Sequence, residues 1–108
     1  MLNFGMFSSV GGLGSTSDVH IRKAMAEADR AIEMAHAAER HAADGEMKIA
    51  MDEYEIANRT YGRVLAHLES RDATHELAHD QQVAFRSATI ALLAARRAIA
   101  SRLTRGRG

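Results

Sequence analysis

Five consecutive residues in the last third of the chain, His75-Glu76-Leu77-Ala78-His79, spell the pattern of a zinc hydrolase. On one turn of helix, two such imidazoles chelate Zn²⁺ while the glutamate activates a bound water. The surroundings argue against that chemistry. Asp80 and Gln81 stand where apolar residues usually flank the motif, and no Glu or His follows His79 to act as a downstream ligand. A second pattern pairs Glu33-x-x-His36 with Glu76-x-x-His79, the spacing by which di-iron carboxylate bundles hold metal, with Glu53 or Glu55 as a further carboxylate. Glu33 and His36, however, share a charged line with Asp29 and Arg40, whereas core ligands are embedded among apolar positions. We expect a solvated face there, with Arg30 one turn from both Glu27 and Glu33. His20, His41 and His67 fall on polar or border positions. The expectation is no metal site, no cofactor and no catalytic residue.

Other routes to catalysis are equally bare. Gly11-Gly12-Leu13-Gly14 follows no strand and carries no lysine, so it is no phosphate loop. Four of the seven serines lie in residues 1–17, away from any ordered His-Asp pair. The absence of cysteine excludes disulfides and thiolate metal sites.

The elements carrying these residues read as helices. From Met47 through Ala50, Tyr54, Ala57, Tyr61 and Val64 to Leu68, apolar residues recur every three or four positions, which aligns them on one helical face. Asp44-Gly45 before them is a chain reversal. An earlier helix is expected over about 18–43, with Ile21, Met25, Ala28, Ile32, Ala35, Glu39 and Ala42 as its seam and Glu39 as the polar interruption. A third, capped by Ser70 or Asp72 and running to about Leu103, has the seam Ala78, Gln81, Phe85, Ala88, Leu92, Ala95 and Ile99. A second line of Val83, Ile90 and Leu93 is expected to widen that face until it needs two neighbours.

With 108 residues, no proline, 46% hydrophobic and 5% aromatic content, the chain predicts one all-α domain with an alanine-rich core. We expect a three-helix antiparallel up-down-up bundle over 18–104, a flexible Gly/Ser-rich arm at 1–17 and a basic tail at 105–108. No apolar run approaches the about 18 residues of a membrane span. The arm has no Lys or Arg before Phe4–Val10, which makes a poor signal peptide, and the expected location is the cytoplasm.

A partial resemblance lies on the first turn. Ala38, Gly45, Glu46, Ala50, Tyr54 and Ala57, within residues 34–58, resemble the small and aromatic positions of one tetratricopeptide-type helical hairpin, and the microtubule-interacting-and-transport domain has a similar hairpin. The resemblance implies a helical scaffold that holds a peptide or a partner helix in a groove. No second copy follows at a 34-residue period, and the proline that usually ends a tetratricopeptide unit is missing.

Charge is balanced overall and divided along the chain. All 14 acids lie at or before Asp80; residues 1–80 hold 8 Lys or Arg, for a net of −6, and residues 81–108 hold six Arg and no acid, for +6. The leading functional expectation is a non-enzymatic interaction or assembly module that docks a protein partner or a second copy through Phe4, Phe7, Val83, Ile90 and Leu93. The alternative is nucleic-acid binding through Arg96, Arg97, Arg102, Arg105 and Arg107, although no aromatic residue accompanies these arginines for base stacking.

Overall fold

The computed structural model of the protein describes residues 16–71 and 76–106. Phe4, Phe7, His75 and Arg107, with most of the arm, the Asp72 cap and the end of the basic tail, lie outside the described residues. Among the described residues there are three helices: α1 (Thr16–Ala43), α2 (Met47–Glu69) and α3 (His79–Gly106). The bundle is all-α, as expected.

The reversal after α1 follows from Gly45. Its φ of 85° lies in the left-handed region, and the Glu46 and Gly45 amides donate to the carbonyls of His41 (2.9 Å) and Ala42 (3.0 Å). That pair of bonds closes the last carbonyls of α1 in a Schellman motif, which a side chain with Cβ fits poorly.

The third helix begins later than expected. Ser70 closes α2, its amide (3.1 Å) and hydroxyl (3.0 Å) both donating to the Ala66 carbonyl, and does not open α3. The start of α3 is held instead by Gln81, whose Oε1 accepts from the Ala78 amide at 2.8 Å, half of a capping box. Gln82 adds a bond from Nε2 to the Leu77 carbonyl at 2.9 Å. Gln81 therefore acts as a cap beside the core rather than as a seam residue.

The core runs along α1, which packs against both other helices, while α2 and α3 touch each other less. Ile21, Ala24, Ala28, Ala31, Ala35, Ala38 and Ala42 are all buried, spaced alternately by three and four. This seam corrects the expected one: Ala24, Ala31 and Ala38 take the buried line, and Met25, Ile32 and Glu39 lie half-buried beside it. Both candidate lines satisfy helical periodicity, but only the alanine line lets two neighbouring backbones approach to the short end of the about 8–10 Å range. Glu39 accordingly interrupts nothing.

Three clusters fix the direction of the chain. Ala24 and Ala28 meet Val64, Phe85 and Ala88; Ala35 and Ala38 meet Ala57, Leu92 and Ala95; Ala42 meets Ala50 and Ile99. Along this series α1 and α3 ascend together and α2 descends, which is the up-down-up order. The second helix keeps its expected seam, with Ala50, Ala57 and Val64 buried and Tyr54, Tyr61 and Leu68 half-buried, and adds a fully buried Thr60.

Candidate functional site

Because α2 and α3 contact each other less than either contacts α1, a groove opens between them. Tyr54, Asn58 and Tyr61 form one wall, and Thr89, Leu93 and Arg96 the other, around about 190 Å³ of space floored by Leu92. The two walls are tied where the Tyr61 hydroxyl meets that of Thr89 at 2.6 Å, while Thr89 also donates to the Phe85 carbonyl at 3.3 Å. Residues seven apart share a helical line, so Met51 and Leu65 extend the line of Asn58, and Leu103 extends that of Arg96. Met51 (49% exposed), Leu65 (45%), Leu93 (47%) and Leu103 (46%) thus sit on groove lines with large apolar area in solvent. The residues on α2 were not among the expected docking positions; the signal for them is the broad apolar band beside the Tyr54–Tyr61 seam.

The expected docking residues on α3 divide. Leu93 belongs to the groove. Val83 (44% exposed) and Ile90 (59%) do not widen the buried stripe. Ile90 lies two residues past the buried Ala88, about 200° around the helix, and Val83 shares its line. The inner face was already filled by Phe85, Ala88, Ala91, Leu92, Ala95 and Ile99, which left no room for a second line.

The late arginines do not form one strip. At about 100° per residue, Arg96, Arg97, Arg102 and Arg105 project to different sides of α3. Arg96 lines the groove, and Arg102 folds toward the first turn, its Nη2 standing 2.7 Å from where a Cβ on Gly45 would be.

The metal patterns are placed as follows. His79 is the first residue of α3, and Glu76 precedes it in irregular chain, so Glu76 and His79 do not share the helical turn that both metal readings require. Glu33 and His36 are exposed on α1. Among the described residues, no group of three His, Cys, Asp or Glu side chains comes together to hold a metal ion.

Three histidines gain partners that their sequence positions did not announce. The Nδ1 atoms of His20 on α1 and His67 on α2 lie 3.3 Å apart, one ring donating and the other accepting. His41, at the end of α1, places Nδ1 2.6 Å from Glu53 Oε1 on α2. The hydrogen bond to Glu53 raises the His41 pKa above 6.5, burial opposes it, and the negative charges of Glu53 and Glu46 add to the rise. Across the same helix pair, Arg63 Nε donates to Glu27 rather than leaving Glu27 to Arg30 on its own helix. Cross-helix pairing overrides the local spacing because α1 and α2 stand close enough for facing side chains to meet.

No helix among the described residues is long and apolar enough to cross a membrane. Comparison with protein families, with curated proteins and with solved structures finds no match to this chain.

Proposed function

We propose that this chain is a non-enzymatic helical assembly module that self-associates through the outer surface of α3 and the α2–α3 groove. The observation that carries the reading is the apolar area left in solvent by a core that is otherwise closed: Val83, Ile90 and Leu93 on α3 are each 44% exposed or more. Scattered exposed apolar residues are ordinary, but concentration along one helix and one groove marks an association face. The alanine-rich core supports the same reading. Small side chains bury little area at roughly 25 cal/mol per Å², so apolar residues left outside offer a large fractional gain on association.

The mechanism is helix-face recognition. A second copy lays an apolar helix face against Leu93 and the Tyr54–Tyr61 wall, and the acidic 1–80 portion of one copy faces the arginines of the other. Phe4 and Phe7 are the arm residues proposed to join that contact, and a cytoplasmic location is part of the same proposal. Nucleic-acid binding by Arg96, Arg97, Arg102, Arg105 and Arg107 draws less support, since the four described arginines point to different sides of α3.

Light scattering on the full chain, on Ile90→Asp with Leu93→Asp, and on a form lacking residues 1–14 tests the reading. The expected result is a concentration-dependent oligomer that becomes monomeric in the double variant and weaker on truncation. A full chain that is monomeric at all concentrations, or an oligomer indifferent to both changes, overturns it.

A further inference from the structure

On the opposite side of the α1–α2 pair from the groove lies a pocket of about 220 Å³ lined by Arg30, Ile56, Arg59, Thr60 and Arg63. Three arginines from two helices thus line one small space. We propose that Arg30, Arg59 and Arg63 form a binding site for a single phosphate-sized oxyanion.

The floor of the pocket is built and held. Thr60 is fully buried, its hydroxyl donating to the Ile56 carbonyl at 2.8 Å and accepting from Arg63 Nη2 at 3.2 Å. Arg63 is also fixed by Nε, which donates to Glu27. Two of its five N–H donors are therefore spent on orientation and three remain for a ligand. A guanidinium pinned in this way loses little further rotamer freedom on binding, which is where much of the cost of an arginine contact otherwise lies.

The other two arginines are less engaged. Arg59 approaches Glu55 of its own helix at 3.6 Å, a loose pair with both partners well exposed. Arg30 has no hydrogen-bond or ion-pair partner among the described residues. Glu27 and Glu55 are taken up by Arg63 and Arg59, so Arg30, one turn from Glu33 without an ion pair to it, is the cation most open to an anion. Planar guanidinium forks carried on two helices suit the several oxygens of a phosphate, which accept paired N–H bonds.

Size selects the ligand class. A space of about 220 Å³ falls below the roughly 300–1,000 Å³ of pockets that enclose larger organic ligands. It accommodates a phosphate or a small phosphomonoester, with ordered water. The inference is independent of self-association, because none of these residues lies on α3.

The test follows amide and arginine side-chain NMR signals while inorganic phosphate is added at constant ionic strength, with chloride as the control anion. Saturable shifts confined to the surroundings of Arg30, Arg59, Thr60 and Arg63 are expected. Arg30→Gln and Arg59→Gln, both at exposed positions, should each weaken binding roughly tenfold, the scale of one lost charge-assisted hydrogen bond. Arg97→Gln, outside the pocket, should leave it unchanged. Glycerol phosphate as a second ligand distinguishes sources: tighter binding than inorganic phosphate identifies an organic phosphate, and equal binding identifies the free ion. Shifts that never saturate, that chloride reproduces, or that survive both glutamine substitutions overturn the proposal.

Discussion

His41 and Glu53 close the α1–α2 hairpin from opposite sides of the turn, with Nδ1 2.6 Å from Oε1. The contact makes the hairpin sensitive to pH, and the direction follows from linkage. The folded pKa of His41 is raised above 6.5, so the native chain holds this proton more tightly than the unfolded chain. Its stabilising contribution is fully present below that value and is lost as pH rises through the folded pKa. Thermal melts of the full chain should therefore show stability falling across that window, and His41→Gln should flatten this part of the profile. An NMR titration of His41 with its midpoint at or below the value of about 6.5 for a free imidazole would contradict the assignment.

Two glycines should respond to alanine with opposite signs. Gly45 has φ of 85°, and a Cβ there would also stand 2.7 Å from Arg102 Nη2. The guanidinium can swing away, so the backbone dominates, and Gly45→Ala should cost about 1–2 kcal/mol. Gly62 lies inside α2 with nothing within 4 Å of an added Cβ. Gly62→Ala should stabilise the protein by up to about 1 kcal/mol, the helix-propensity difference. Chemical denaturation of both variants reads the two signs, and a loss at Gly62 would mean that a neighbour approaches its backbone.

The alanine seam should resist enlargement. Ala31 is fully buried on α1, whereas Ala26 on the same helix is exposed. Ala31→Leu must push α1 from its neighbours and should cost about 1–3 kcal/mol, as overpacked cores do. Ala26→Leu should fall within about 0.5 kcal/mol of the parent. Equal denaturation midpoints for the two variants would show that the helices are not in close contact along this line.

Charge on the outward apolar residues should separate assembly from folding. Ile90 and Leu93 are 59% and 47% exposed, so aspartate at either position meets water rather than core. At protein concentrations low enough to dissociate any oligomer, Ile90→Asp and Leu93→Asp should each shift unfolding by less than about 0.5 kcal/mol. Circular dichroism melts measure this. A larger loss in the dissociated protein would place these side chains in the bundle core.

Much of the fold is legible in local pattern. The period from Met47 to Leu68 gives α2 its bounds and its seam, and Asp44-Gly45 gives the turn, because both depend on near neighbours in the chain. The start of α3 was not legible. Ser70 is a good cap at either end of a helix, and only the tertiary path shows it closing α2 while Gln81 and Gln82 open α3. The α1 seam was half legible. Ile21, Ala28, Ala35 and Ala42 belong to both candidate lines, and the choice of Ala24, Ala31 and Ala38 over Met25, Ile32 and Glu39 depends on where α2 and α3 stand.

The candidate surfaces divide in the same way. Sequence by itself determined that this is an all-α chain of three helices with more apolar residues on α3 than one stripe needs, because helical periodicity and breakers act over a few residues. Tertiary structure alone decided that Leu93 enters a groove with Tyr54 and Tyr61, that Val83 and Ile90 face away from the core, and that Arg30, Arg59 and Arg63 line one pocket. Each of these pairs or clusters joins side chains from positions far apart in the chain, or depends on which face a neighbour has already filled. Spacing along one helix assigns a residue to a line; only the packing of the other helices decides whether that line meets core, groove or water.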